Sequence, residues 1–320
     1  MRNPLRRSNL SVAILSIAGL MAACSSPTAT SPAASLAQNQ QRLVIAVQPT
    51  NTPEQLTSDA QELRAYLEQR LGRPVELVFP TTFAGVIEAM RFGHAQAAFM
   101  SAWPAALAQR HAGAEVVLAE VREVVIGDQK AEAPYYYSYW VVRPDSEFTS
   151  LDQLRGRKAA MPSQLSTSGY VAPMAKLVDL GLVPGDKEAD PKAFFSDVIY
   201  SGGYAQGWEA LKNGQVDATV IAGDVAESLY RDVLANTRVI ETQGPIPSHG
   251  VVFSKDLVDP TRTLLRDALM DLGRPEYRPM MRKFISGIFV GFTPTTTQEH
   301  LASLNGYLER TQLAFVERLR

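Results

Sequence analysis

From Arg42 onward, short apolar runs alternate with stretches in which apolar residues recur every three or four positions. "RLVIAV" (42–47) predicts a buried strand. Leu56, Ala60, Leu63, Leu67 and Leu71 then fall on one helical face, closed by Gly72 and Pro74. A capping signal, "TPEQ" at 52–55, precedes them, with Thr52 as cap, Pro53 at the first helical position and Gln55 reaching back. "VELVF" (75–79) predicts a strand, 82–92 a helix ending at Gly93, "AQAAFM" a strand, a helix from about Ser101, and "EVVLAEV" another strand. This β-α-β-α-β order predicts a mainly parallel sheet with helices on both faces.

The pattern restarts after Ser146. "LDQLRGRKAAM" (151–161) reads as a short helix, a turn and a strand. A helix over 166–181, the strand "FFSDVIY" (194–200), a helix over 204–213 and the strand "QVDATVIA" (215–222) follow. Helices at about 259–272, 276–286 and 297–318 close the chain. Two α/β units with a helical return predict two lobes around a cleft, with 146–249 inserted between 42–145 and 250–320. Ligands of such sheets bind at the carboxyl ends of strands, against helix N-termini.

The first 41 residues break this pattern. Arg2, Arg6 and Arg7 precede an apolar run over 10–23, short for a membrane span and suited to a secretory signal. The run ends in "LMAAC", where Cys24 is the single cysteine, and an uncharged Ser-, Ala- and Pro-rich tether over 24–41 follows. The motif resembles a bacterial lipobox, which implies cleavage after residue 23, a lipid on Cys24 and anchoring to a bacterial membrane at the periplasm or cell surface. A plain signal peptide is the alternative.

Of 31 basic and 33 acidic residues, three arginines lie in the signal, so the mature chain carries a net charge of −5. Without a basic block, nucleic acid is not an expected partner. His94, His111, His249 and His300 have no metal-ligand spacing, and no metal or other cofactor is expected. "GGYAQGWE" has the glycines of a phosphate loop without its Lys and Ser/Thr, and no nucleophile elbow occurs, so the chain is not expected to be an enzyme.

The stretch "MPSQLSTSGYVAP" (161–173) gathers Ser166, Thr167 and Ser168 at a strand-to-helix junction facing the expected cleft. Unpaired N–H groups, the positive end of a helix dipole and hydroxyl donors suit a tetrahedral oxyanion without any lysine or arginine. An ordinary serine cap is the plainer reading. Pro173 removes a backbone bond from such a helix, so its first turn is irregular or the regular helix starts later.

"YYYSYWVVRPDSEFTSLDQLRGRKAAMPSQLSTSGYVAPMAKLVDLGL", together with "TPEQL…YLEQRLGRPVEL", resembles phosphate-, phosphite- and phosphonate-binding proteins of ABC importers, over about residues 42–310. The resemblance implies a type II periplasmic-binding-protein clamshell in which the Ser166-Thr167-Ser168 helix start holds the phosphorus oxygens. It also implies a monomer that serves an ABC permease and ATPase. Several positions depart from the family pattern. Tyr204 stands where a histidine is usual, His249 where an aspartate is common, and "SAWPA" replaces a "GP" turn, placing Trp103 at the cleft rim. Asp224 lies where the family often has an acid. Trp103, Tyr204 and Trp208 equally suit a core, and Asp224 a helix cap. Two other roles fit the same fold: a receptor for another small anion such as a sulfonate or nitrate, or a periplasmic sensory lipoprotein.

Overall fold

The computed structural model describes residues 42–49, 53–126, 129–223, 225 and 227–313. The signal, the tether and Cys24 lie outside them. Strand β1 (Leu43–Val47) leads into α1 (Pro53–Asp59), α2 (Gln61–Leu71), β2 (Val75–Val78), α3 (Phe83–Arg91), β3 (Ala97–Met100) and α4 (Ala102–Ala112). The helix expected over 56–71 is therefore two helices meeting at Ala60, and its five apolar positions are all buried. Thr52 lies outside the described residues, and Gln55 donates forward to the Asp59 carboxylate. Thr82 caps α3 by accepting from Gly85 N–H at 3.0 Å.

The chain continues through β4 (Glu115–Ile126) and β5 (Gln129–Ala133) and then enters a second sheet with β6 (Tyr135–Val142). That sheet is completed by β7 (Lys158–Met161), α5 (Ala172–Asp179), β8 (Asp197–Tyr200), α6 (Tyr204–Lys212), β9 (Ala218–Ala222), α7 (Glu227–Ala235) and β10 (Arg238–Pro247). The return supplies β11 (Gly250–Phe253), α8 (Thr261–Asp271), α9 (Arg278–Phe284), β12 (Phe289–Pro294) and α10 (Thr297–Thr311).

Strand order is β12-β4-β11-β3-β1-β2, with β5 on β4, in one sheet and β10-β6-β9-β7-β8 in the other. The sheets are mixed, where the sequence predicts mainly parallel ones. β2, β1 and β3 are parallel, as are β8, β7 and β9, while the other pairs run antiparallel. In the antiparallel part, β4 lies beside returning β11 and hairpins into β5, and β6 lies beside β10.

Two short crossings join the lobes, at Pro134 and at Ser248-His249, and Ser248 N–H donates to Pro134 O at 3.1 Å. The outgoing crossing thus precedes the expected division at Ser146, because the tyrosine-rich strand β6 already belongs to the second sheet. The returning strand β11 starts at Gly250. Helix α10, expected with the first lobe, docks on the second as well. Tyr307 OH donates to Pro245 O at 2.5 Å, Arg310 pairs with Asp179 at 3.0 Å, and Ala189 N–H donates to Thr311 O at 2.8 Å.

Strand alternation sets the core. Leu43, Ile45 and Val47 pack with Phe99, Phe253 and the apolar faces of α2, α8 and α9. Val44, Ala46, Ala98 and Met100 on the opposite face join Val86, Ile87 and Leu107 of α3 and α4.

Candidate functional site

The hydroxyl cluster opens an irregular turn, as Pro173 requires. Residues 167–171 form a single π-turn, in which Val171 N–H reaches back five residues to Ser166 O at 3.1 Å. Helix α5 starts regularly only at Ala172, with Pro173 in its first turn, where its missing N–H costs nothing. Gly169 is obligatory here. A Cβ would lie 2.1 Å from Pro162 Cγ and 2.9 Å from Ser166 Oγ. Ser166 caps the turn, its Oγ accepting from Gly169 N–H at 2.9 Å.

Three other elements converge on this turn. From the first lobe, Trp103 N–H in the first turn of α4 donates to Thr167 Oγ1 at 2.7 Å. From α6, its first residue Tyr204 bonds through its hydroxyl to Ser168 Oγ at 2.6 Å and stands 3.2 Å from Ser166 Oγ. From β6, Ser138 Oγ donates to Ser168 O at 2.8 Å. The N-termini of α4 and the π-turn helix thus meet in one buried place together with the Tyr204 hydroxyl, and Ser166, Thr167 and Ser168 are each at most 1% exposed. Such a convergence of helix N-termini and hydroxyls favours negative charge.

The sequence-predicted residues divide clearly. Ser166, Thr167, Ser168 and Tyr204 come together. Trp103 also joins them, but through its backbone amide. Its ring is buried at 2% exposure, so it fills the interior rather than standing at a rim. Trp208 stays apart, its indole donating to Asp232 at 2.7 Å. Asp224 lies outside the described residues.

His249 sits in the returning crossing, buried, with its Nε2 3.4 Å from Gln48 Nε2. Gln48 Oε1 in turn accepts from both N–H and Oγ of Ser101, at 2.9 and 3.0 Å, and Ser101 is the residue before α4. His249 therefore reaches the turn indirectly, through Gln48, Ser101 and the start of α4. His300 of α10 lies against the same crossing. Burial and the neighbouring His249 lower its pKa to about 4, while a hydrogen bond with the Ser248 backbone opposes them.

Gln48, Ser101 and Ser138 are contributors that the sequence reading missed. Gln48 and Ser101 each directly follow a parallel strand, and that position was the available signal. Ser138 breaks the run of tyrosines at a buried position. A buried ion pair was missed too. Arg122 Nη2 bonds Glu120 Oε2 at 2.5 Å with both side chains fully buried, and the guanidinium lies 4.3 Å from the centre of the Tyr136 ring. Among the described residues, no group of three His, Cys, Asp or Glu side chains could hold a metal ion.

Residues 45–301 match the family described as the periplasmic substrate-binding protein of phosphonate ABC transporters. The phosphate-import protein PhnD of Mycolicibacterium smegmatis is 30% identical over 211 residues, 65% of this chain and 63% of that protein. The phosphonates-binding periplasmic protein of Escherichia coli is 25% identical over 228 residues, 68% of this chain and 62% of that protein. The chain thus aligns with somewhat under two thirds of the length of these relatives. A crystal structure of a binding component of a phosphonate ABC transporter from Pseudomonas aeruginosa superposes with a TM-score of 0.70. It has 21% identity and covers 85% of this chain and 87% of that one. The fold of two mixed sheets joined by two crossings agrees with that likeness, and the chain belongs to the phosphonate-binding family of periplasmic ABC-transporter substrate-binding proteins.

Proposed function

We propose that the chain captures a small phosphorus oxyanion (a phosphonate, phosphite or phosphate) at the turn of Ser166, Thr167 and Ser168, and presents it to an ABC permease and ATPase. The observation that carries this reading is the bond from Trp103 N–H to Thr167 Oγ1, which brings helix starts of both lobes to the same hydroxyl. Thr167 accepts from one lobe while its own proton is available for an anion oxygen. Tyr204 links the two serines and adds a neutral donor, so the ligand charge is met by dipoles and hydroxyls.

The same reading makes the protein a carrier that leaves its ligand chemically unchanged. Opening and closing about the two crossings admits and encloses the ion. Cys24 bears the lipid, and the following tether lets the lobes work at the membrane surface as a monomer.

Calorimetry with phosphate, phosphite, methylphosphonate and taurine tests the assignment. The three phosphorus anions, or a subset of them, bind, and taurine binds more weakly. Replacing both Ser166 and Thr167 by Ala weakens binding at least tenfold, since each hydrogen bond to an ion is worth roughly 1.5–3 kcal/mol. Unchanged affinity in that variant would move the site elsewhere.

A further inference from the structure

The ion pair of Glu120 and Arg122 lies along the wall that joins the two lobes. Both residues project from the same face of β4, two positions apart, and both are wholly inaccessible to solvent. Glu120 N–H donates to His249 O at 3.0 Å, and Ser248 Oγ donates to Glu120 O at 2.5 Å, which fixes this stretch of β4 against the returning crossing. The Arg122 guanidinium covers the Tyr136 ring. Tyr136 and Ser138 share one face of β6, and Ser138 touches the hydroxyl turn at Ser168 O. Two residues along a strand span about 7 Å. One strand face therefore leads from the hydroxyl turn, past Tyr136, to the ion pair.

Burying a carboxylate and a guanidinium is costly unless their hydrogen-bonding capacity is filled. Glu120 Oε2 is held by Arg122, but Glu120 Oε1 is buried and has no hydrogen-bond partner among the described residues. A buried acceptor of this kind calls for a donor. An ammonium at that oxygen would stand beside the guanidinium, with like charges a few ångströms apart. A hydroxyl supplies the hydrogen bond without that repulsion.

We propose that Glu120, oriented by Arg122, reads a hydroxyl group on the organic substituent of the bound oxyanion. The preferred ligands are then hydroxyalkyl phosphonates or phosphate esters of small alcohols carrying a further hydroxyl. The inference rests on the oxyanion reading above and adds to it a specificity that the hydroxyl turn alone cannot supply.

The test is calorimetry of three ligands of matched length: ethylphosphonate, 2-hydroxyethylphosphonate and 2-aminoethylphosphonate. The native chain binds the hydroxyethyl compound about tenfold more tightly than the ethyl one, the lower end for a hydrogen bond to a charged group. It binds the aminoethyl compound less tightly than the hydroxyethyl one. In the double variant Glu120→Met, Arg122→Met the ratio of hydroxyethyl to ethyl affinity falls to about one. Replacing a buried pair by apolar residues of similar volume is often neutral for stability, and a thermal melt checks folding. Equal affinities for the hydroxyethyl and ethyl compounds in the native chain overturn the proposal, as expected if ordered water fills Oε1. So does a preference that survives in the folded double variant, or tighter binding of the amine. Absence of binding to any phosphonate in the native chain overturns the oxyanion reading as well, and is distinct from equal affinities.

Discussion

Trp103 and Thr167 join the two lobes through a backbone donor and a side-chain acceptor 2.7 Å apart, both buried. Thr167→Val keeps the shape of the side chain and removes the oxygen. Anion affinity falls at least tenfold, and small-angle scattering shows a larger radius of gyration as the closed form is depopulated. A variant that stays as compact and as tight as the native chain would show that this bond does not hold the lobes together.

Tyr204→Phe tests the second arm of the site. The hydroxyl bridging Ser166 and Ser168 disappears while the ring stays in its buried place. A neutral hydrogen bond is worth about 0.5–1.5 kcal/mol, so affinity for methylphosphonate drops roughly three- to tenfold. Tm changes by a few degrees at most. Calorimetry and a thermal melt on the same sample separate the two effects.

Gly169→Ala forces a methyl group into Pro162 and Ser166 Oγ. The cost of such overpacking is about 1–3 kcal/mol, and the π-turn shifts to relieve it. Both Tm and anion affinity fall together, in contrast to Tyr204→Phe. A native-like melt would mean that Pro162 yields at little cost.

His300 makes stability depend on pH. Its folded pKa, about 4, lies below the 6.5 of the unfolded chain, so between those values the unfolded state binds the proton and the folded state does not. The contribution is complete above pH 6.5 and is lost as pH falls towards 4, to the extent of about 3 kcal/mol. Urea melts of the native chain and of His300→Gln at pH 7, 6, 5 and 4 show it. The difference between their unfolding free energies narrows with acidity, and parallel profiles would assign the acid sensitivity to other groups.

Cys24→Ala separates the anchor from the receptor. The variant is released from the membrane fraction as a soluble domain that binds the same anions. Full retention in membranes would contradict lipidation at Cys24.

The hydroxyl turn was legible because three donors stand at a strand-to-helix junction, and Pro173 foretold its irregular geometry. Local periodicity also marked β1, α3 and α6, whose apolar faces read directly from the chain. The crossing at Pro134 was not legible. Ser138 pairs with Gln243, and Gln243 belongs to "RVIETQGPIP", whose polar residues, glycine and two prolines interrupt a strand period. Pairing between strands so distant in sequence is decided by the fold, not by local preference. The role of Trp103 was hidden for another reason. Its contact is made by the backbone amide, which every residue but proline carries, so the indole misled.

The bond from Ser248 N–H to Pro134 O ties the outgoing and returning chains together at the pivot. With the two connections fastened there, the lobes are joined as the jaws of pliers are, at a single rivet. The jaw tips include Thr82 and Phe83 on one side and Gln164 and Tyr200 on the other, which line a common crevice. A few degrees at the rivet become ångströms at the tips. His249 adjoins the pivot and is joined to the hydroxyl turn through Gln48, Ser101 and the start of α4, so a bonded route runs from the turn to the place where leverage begins.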